Sequence, residues 1–110
     1  MASDQSFVEF VADQATAAGN ISYRKMFGEY ALYCQGKVVA LICGNHFFVK
    51  PTDQGRDYIG DVCEAPPYPG AKKYFLIEDA YEDSDWISGL IRITAQTLEA
   101  PKPKRSILKL

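Results

Sequence analysis

Residues 26 to 50 read MFGEYALYCQGKVVALICGNHFFVK, and this segment carries the strongest signal for a β-sheet. It contains three runs rich in aromatic and β-branched residues, as strands are: Met26 to Cys34, Val38 to Cys43 and His46 to Lys50. Gln35-Gly36 and Gly44-Asn45 separate the runs, and Gly and Asn tolerate the positive φ that a two-residue hairpin turn requires. The stretch therefore predicts a three-stranded antiparallel meander.

On the N-terminal side, the sequence predicts a helix over residues 7–18. Ser6-Phe7-Val8-Glu9 has the pattern of a capping box, in which the Ser6 hydroxyl and the Glu9 carboxylate accept from amides at a helix start. Apolar residues follow at helical spacing, and Gly19-Asn20 supplies a stop.

On the C-terminal side, Thr52 or Asp53 is expected to cap a short second helix that contains Tyr58, Ile59 and Val62. Three prolines make 66–70 a loop, and 73–77 returns to strand character. From Ser84 an apolar stripe at i, i+3, i+4 spacing predicts a last helix that runs to about Glu99.

This order of elements, α-β-β-β-α-β-α, predicts an α+β domain over residues 1–100: an antiparallel four-stranded sheet with helices packed on one face. The fourth strand would leave an open edge, at which a second copy of the chain could pair to form a homodimer. Residues 101–110 form a basic tail spaced by prolines, for which we expect disorder.

Composition excludes several classes of protein. No run of about 18 apolar residues is present, so we expect no membrane association by a spanning segment. The N-terminal residues lack the pattern of a secretory signal, which favours a cytoplasmic protein. Cys34, Cys43 and Cys63 lack C-x-x-C spacing, so a disulfide framework and a zinc knuckle have no support. We expect no metal and no cofactor.

No catalytic constellation is recognisable, and we expect no enzyme. Cys43 and His46 should lie opposite each other across a hairpin turn, but a third metal ligand is missing. Cys63 follows a weak helix between Asp61 and Glu64, where negative charge disfavours a thiolate. Acidic residues from 78 to 85 fit the positive N-terminal end of the last helix.

The charge of the chain is unevenly distributed. Residues 1 to 100 carry 8 basic and 14 acidic side chains, a net charge of −6, whereas the last ten residues carry +4. An acidic body repels phosphate backbones, so nucleic-acid binding would require the tail or a local basic patch.

A basic pair, Arg24-Lys25, enters the first predicted strand and is followed by Met26-Phe27-Gly28. Together with Lys50 at the end of the third run and the Pro67-Tyr68-Pro69-Gly70 loop, this segment resembles the N-terminal domain of the TfoX/Sxy competence regulators. The resemblance extends over about residues 5 to 99. It implies a regulatory module that acts with a transcriptional or signalling protein partner, and it supplies no active site.

The residues expected to bind that partner are Arg24, Lys25, Phe27, Gly28, Lys50 and Lys72. If the lysines lie near the basic pair, they would form a positive patch suited to an acidic partner or a phosphate. Two alternatives remain open. One is a small-molecule binder or small enzyme with a pocket between the sheet and the loop 66–70. The other is nucleic-acid binding through the tail.

Overall fold

The computed structural model describes residues 4–26 and 29–98, and within them the chain forms three α-helices and six strands. The helices are α1 Gln5–Gln14, α2 Asp53–Ile59 and α3 Ser84–Thr97. The strands are β1 Ile21–Met26, β2 Glu29–Cys34, β3 Lys37–Cys43, β4 His46–Val49, β5 Glu64–Ala65 and β6 Tyr74–Ile77. Short 3-10 turns cover Thr16–Ala18 and Ala80–Glu82.

The strands form one antiparallel sheet in the order β1-β2-β3-β4-β6-β5. The α+β class is confirmed, but the expected four-stranded sheet is wrong, because β1 and β5 add a strand at each edge. The strand predicted over residues 26 to 34 merges the end of β1 with β2. The predicted fourth strand, now β6, lies inside the sheet between β4 and β5, so it leaves no open edge.

Both predicted hairpin turns are confirmed. Cys34 pairs with Lys37 across the first turn, and Cys43 pairs with His46 across the second. All four turn residues have positive φ, between 56° and 78°: Gln35, Gly36, Gly44 and Asn45. Positive φ at both central positions is the geometry whose twist matches that of the flanking strands.

The predicted start of α1 is wrong. Asp4 is the N-cap residue, no side chain caps the helix, and Ser6 lies inside it. The Asp4 amide donates to Asn45 Oδ1 at 2.7 Å, in the turn between β3 and β4. The helix begins at Gln5, two residues before the predicted start. The Glu9 carboxylate accepts instead from Gln5 Nε2 at 3.0 Å and from the Tyr23 hydroxyl at 3.3 Å.

The starts of the other two helices agree with the sequence. Thr52 Oγ1 accepts from the Gly55 amide at 2.9 Å and caps α2, although Val62 lies beyond that helix. At α3, Asp83 Oδ1 accepts from the Trp86 amide at 3.2 Å. Helix α3 ends at Thr97, and the predicted end at Glu99 falls outside the described residues.

The sheet has two unlike faces. One face packs against the helices, and the main core consists of fully buried side chains from both layers: Val8, Val11, Leu32, Ile42, Phe47, Phe75, Leu90 and Ile91. The opposite face, which we call the open face, carries the alternate strand positions: Arg24, Met26, Glu29, Ala31, Leu41, Cys43, Phe48 and Leu76. Of the helices in the described residues, none combines the length and the hydropathy that a membrane-spanning segment needs.

Candidate binding site on the open face

A cavity of about 580 Å³ lies on the open face. Its floor consists of Val38, Leu41 and Cys43 on β3, which point away from the helices. Met26, at the end of β1, and Tyr68, in the loop before β6, stand at its margin with 40% and 56% of their surface exposed. Large exposed apolar side chains around a concave apolar floor are typical of a binding site.

Two of the tyrosines that line this cavity, Tyr68 and Tyr74, give it aromatic walls. Tyr74 on β6 is partly buried, and burial raises the pKa of its hydroxyl, with smaller contributions from Tyr68 and Cys43. Tyr68 and Cys43 line the same cavity as Tyr74. The site therefore combines the phenol rings of Tyr68 and Tyr74 with an apolar floor, and the Tyr74 hydroxyl, whose pKa burial raises, remains protonated at neutral pH.

A single lysine brings positive charge to the cavity. Lys50 directly follows β4, its backbone amide donates to the Val39 carbonyl at 2.9 Å, and its side chain is partly buried. Within the described part of the chain, its ammonium makes no hydrogen bond or ion pair. Among the described residues, Lys50 is therefore a cation over an apolar surface with no ion-pair partner.

The other end of the cavity contains the acidic Glu29 and the unreactive thiol of Cys43. Glu29 Oε1 accepts from the Gly44 amide at 3.1 Å, so this carboxylate supports the β3–β4 turn. Burial, and then the charge of Glu29, raise the pKa of the Cys43 thiol to about 11. A thiol with that pKa is protonated at neutral pH and is a poor nucleophile.

The residues predicted to bind a partner occupy different surfaces. Arg24 and Lys25 are consecutive, exposed residues of β1, so they point to opposite faces of the sheet. Arg24 lies on the open face, the face of Lys50, whereas Lys25 pairs with Tyr30 on the helix side. Lys72 is exposed in the loop before β6.

Phe27 and Gly28, the other two predicted residues, lie outside the described residues, as does the tail at 101–110. The partner-binding role of the whole set stays a prediction. The sequence predicts, as an alternative, a pocket between the sheet and the loop 66–70, and Tyr68 of that loop lines the cavity. Met26 and Tyr74 were missed as cavity residues, because each was read only as part of a strand.

Two cysteines and the histidine were considered as metal ligands or nucleophiles: Cys43, Cys63 and His46. Across residues 4–26 and 29–98, no three His, Cys, Asp or Glu side chains converge as metal ligands. Cys43 and His46 pair as predicted, but the burial of Cys43 and the exposure of His46 place them in different environments. Cys63 is exposed.

Comparison with known proteins assigns the family. The family model of the TfoX N-terminal domain matches residues 13–98. A protein of Spirochaeta aurantia described as an uncharacterized 12.7 kDa protein in the trpE 5′ region is 43% identical over 109 residues, which cover 99% of this chain and 95% of that protein. The match by the family model includes every strand, α2, α3 and the open face. The chain therefore belongs to the TfoX N-terminal domain family.

Proposed function

We propose that this chain is a non-catalytic regulatory module that binds a protein partner along β1. The observation that carries the proposal is that β1 is an edge strand with a basic pair. It pairs with β2 on one side, and no described strand pairs with it on the other. An unpaired strand edge can accept an extended segment of another protein by main-chain hydrogen bonding.

The side chains of β1 favour an acidic segment. Arg24 and Lys25 are exposed, and neither forms an ion pair or hydrogen bond with another described residue. Because they point to opposite faces, consecutive acidic residues of an added strand could each meet one cation. Arg24 is the stronger anchor, since its guanidinium can bind a carboxylate through two parallel hydrogen bonds.

Family membership supports a regulatory role, and the competence regulators suggest a partner in transcription. The net charge of −6 over residues 1 to 100 makes the basic pair an exception on an acidic body. A positive pair on an otherwise acidic protein attracts acidic partners, and the binding that it supports weakens as the salt concentration rises. Lys50 and Lys72 would extend this surface only for a partner that also covers the open face.

The test replaces Arg24 and Lys25 together by alanine. The partner is captured from the native host with the full chain, identified, and titrated against the wild type and the variant at two salt concentrations. We expect the Kd to rise about tenfold and its salt dependence to flatten, as for lost charged contacts. The melting temperature should change little, because exposed substitutions usually change stability by less than about 0.5 kcal/mol.

Lys73→Ala is the matched control, because Lys73 is also exposed but lies in the loop before β6. It should leave the Kd unchanged. An unchanged affinity in the double variant would remove β1 as the docking site, and a collapse of its melting temperature would show that the pair is structural.

A further inference from the structure

The cavity on the open face has the size of a small-molecule site. Its volume of about 580 Å³ falls within the roughly 300 to 1,000 Å³ that such sites occupy. Its floor is aliphatic, and Tyr68 and Tyr74 supply aromatic surface. Aromatic side chains pack favourably against a flat ring in offset or edge-to-face geometry. The shape and the lining therefore fit a planar, apolar body.

Lys50 defines the charge of the ligand. Its ammonium has no anionic partner among the described residues, and its side chain is partly withdrawn from water. A cation in that position gains most from an anion on the ligand, because charge-assisted hydrogen bonds are stronger where water is partly excluded.

The two charged residues of the cavity contact β3 and its following turn at different positions. The Lys50 backbone amide donates to the Val39 carbonyl, and the Glu29 carboxylate accepts from the amide of Gly44, just after β3. These two attachment points are five residues apart, which corresponds to roughly 16 Å of backbone at about 3.3 Å per residue. Glu29 already accepts a backbone amide. A ligand anion would therefore bind at the Lys50 end, away from the carboxylate that repels it.

We propose that this cavity binds a small aromatic monocarboxylate, with the carboxylate on Lys50 Nζ and the ring between Leu41 and the two tyrosines. The site shares Met26 with β1, but its lining does not include the basic pair Arg24-Lys25. The protein would then sense an organic acid as well as bind a partner, and neither proposal requires the other.

The test uses 2-naphthoate as the probe and the full chain, with calorimetric titration. Its neutral analogue, 2-naphthalenemethanol, has the same ring system without the charge. We expect the naphthoate to bind at least tenfold more tightly than the alcohol. Lys50→Met should remove that preference by weakening naphthoate about tenfold, whereas Lys50→Arg, which keeps the charge, should retain most of it. Lys73→Met, an exposed lysine that does not line the cavity, should bind like the wild type.

A second variant tests the cavity itself and does not depend on Lys50. Leu41→Trp fills the floor and should weaken both probes at least tenfold, with an unchanged circular dichroism spectrum as evidence of folding. The β1 variant Arg24→Ala/Lys25→Ala should keep its naphthoate affinity within twofold, which separates this site from the docking edge.

Three results would overturn the proposal. Equal affinities for the acid and the alcohol would remove the charge recognition, and full binding by Leu41→Trp would place the probe elsewhere. A concentration-dependent dimer in sedimentation that excludes naphthoate would show that a second copy covers the open face.

Discussion

Lys37 shows how one side chain connects the sheet to the end of a helix. Its Nζ donates to the carbonyls of Ala95 and Leu98 at 2.8 and 3.0 Å. The last carbonyls of a helix lack intrahelical donors and carry partial negative charge. Lys37 therefore stabilises the C-terminal end of α3, and it does so from the first residue of β3.

We expect Lys37→Met to lower the free energy of unfolding by about 1–2 kcal/mol, the usual contribution of a charged donor at a helix C-terminus. Urea denaturation at neutral pH measures the change. The exposed Lys73→Met should differ from the wild type by less than about 0.5 kcal/mol. A Lys37→Met protein as stable as Lys73→Met would contradict the capping role.

Residue-scale signals were reliable where the chemistry is local. Thr52 caps α2 through the amide of Gly55, three residues ahead, and the sequence contains that whole interaction. The capping box predicted at Ser6 is equally local, but the N-cap residue of α1 is Asp4. The Asp4 amide donates to the side chain of Asn45, 41 residues away. A capping pattern cannot report a competing contact that distant.

At the level of single elements, Gly89 allows α2 to approach α3. A glycine within a helix is normally destabilising by about 1 kcal/mol relative to alanine. Here a Cβ at position 89 would overlap the Tyr58 hydroxyl, which donates to the Trp86 carbonyl at 2.9 Å. Gly89 is therefore required by the packing of Tyr58 on α3.

We expect Gly89→Ala to destabilise the protein, against the helix propensity of alanine. In a Tyr58→Ala background, where the clash is absent, the same substitution should instead stabilise by up to about 1 kcal/mol. Chemical denaturation of the four proteins in this double-mutant cycle gives both values. The same sign of effect in the two backgrounds would exclude the steric explanation.

Strand β1 is the element that the sequence failed to predict, apart from its last residue. Its residues, Ile21 to Met26, include Ser22, Arg24 and Lys25, all exposed, because an edge strand has little to bury. Polar edge strands lack the apolar alternation on which strand prediction depends. β5 is only two residues long, too short for any periodicity. The buried strands β3, β4 and β6 were predicted nearly to their ends.

On the scale of the whole molecule, two buried thiols and one partly buried phenol among the described residues lower the stability of the fold at alkaline pH. Burial raises the pKa of Cys43 from its ordinary value of 9.0 to about 11, and raises those of Cys34 and Tyr74 as well. The unfolded chain releases these protons at lower pH than the native protein. Between about pH 9 and 11 the native state thus holds more protons, so stability falls as the pH rises.

Urea titrations from pH 7 to 10.5 should show this decline in the free energy of unfolding. Cys43→Ala removes one of the three groups and should make the decline less steep, whatever its effect at pH 7. Cys63→Ala is the matched control, because that thiol is exposed whereas the Cys43 thiol is buried. Identical slopes in both variants would contradict a contribution from Cys43.

The candidate site could be predicted only in outline. The prolines and Tyr68 indicated a loop beside the sheet, and a pocket there was expected. Which side chains face it depends on strand register, and the shift between Leu32 and Tyr33 changes that register without a sequence signal. The separation of Arg24 from Lys25 onto two faces required knowledge that both lie within a strand.

The attachments of the two helices to the sheet also have a consequence for how the chain folds. The Asp4 amide reaches Asn45, 41 residues along the chain, and Lys37 reaches Ala95, 58 residues along. The β2–β3 and β3–β4 hairpins close through two-residue turns. Loop closure costs more entropy as the loop lengthens, and distant contacts slow folding. The central hairpins are therefore expected to pair first and then serve as the template on which both ends of the domain assemble.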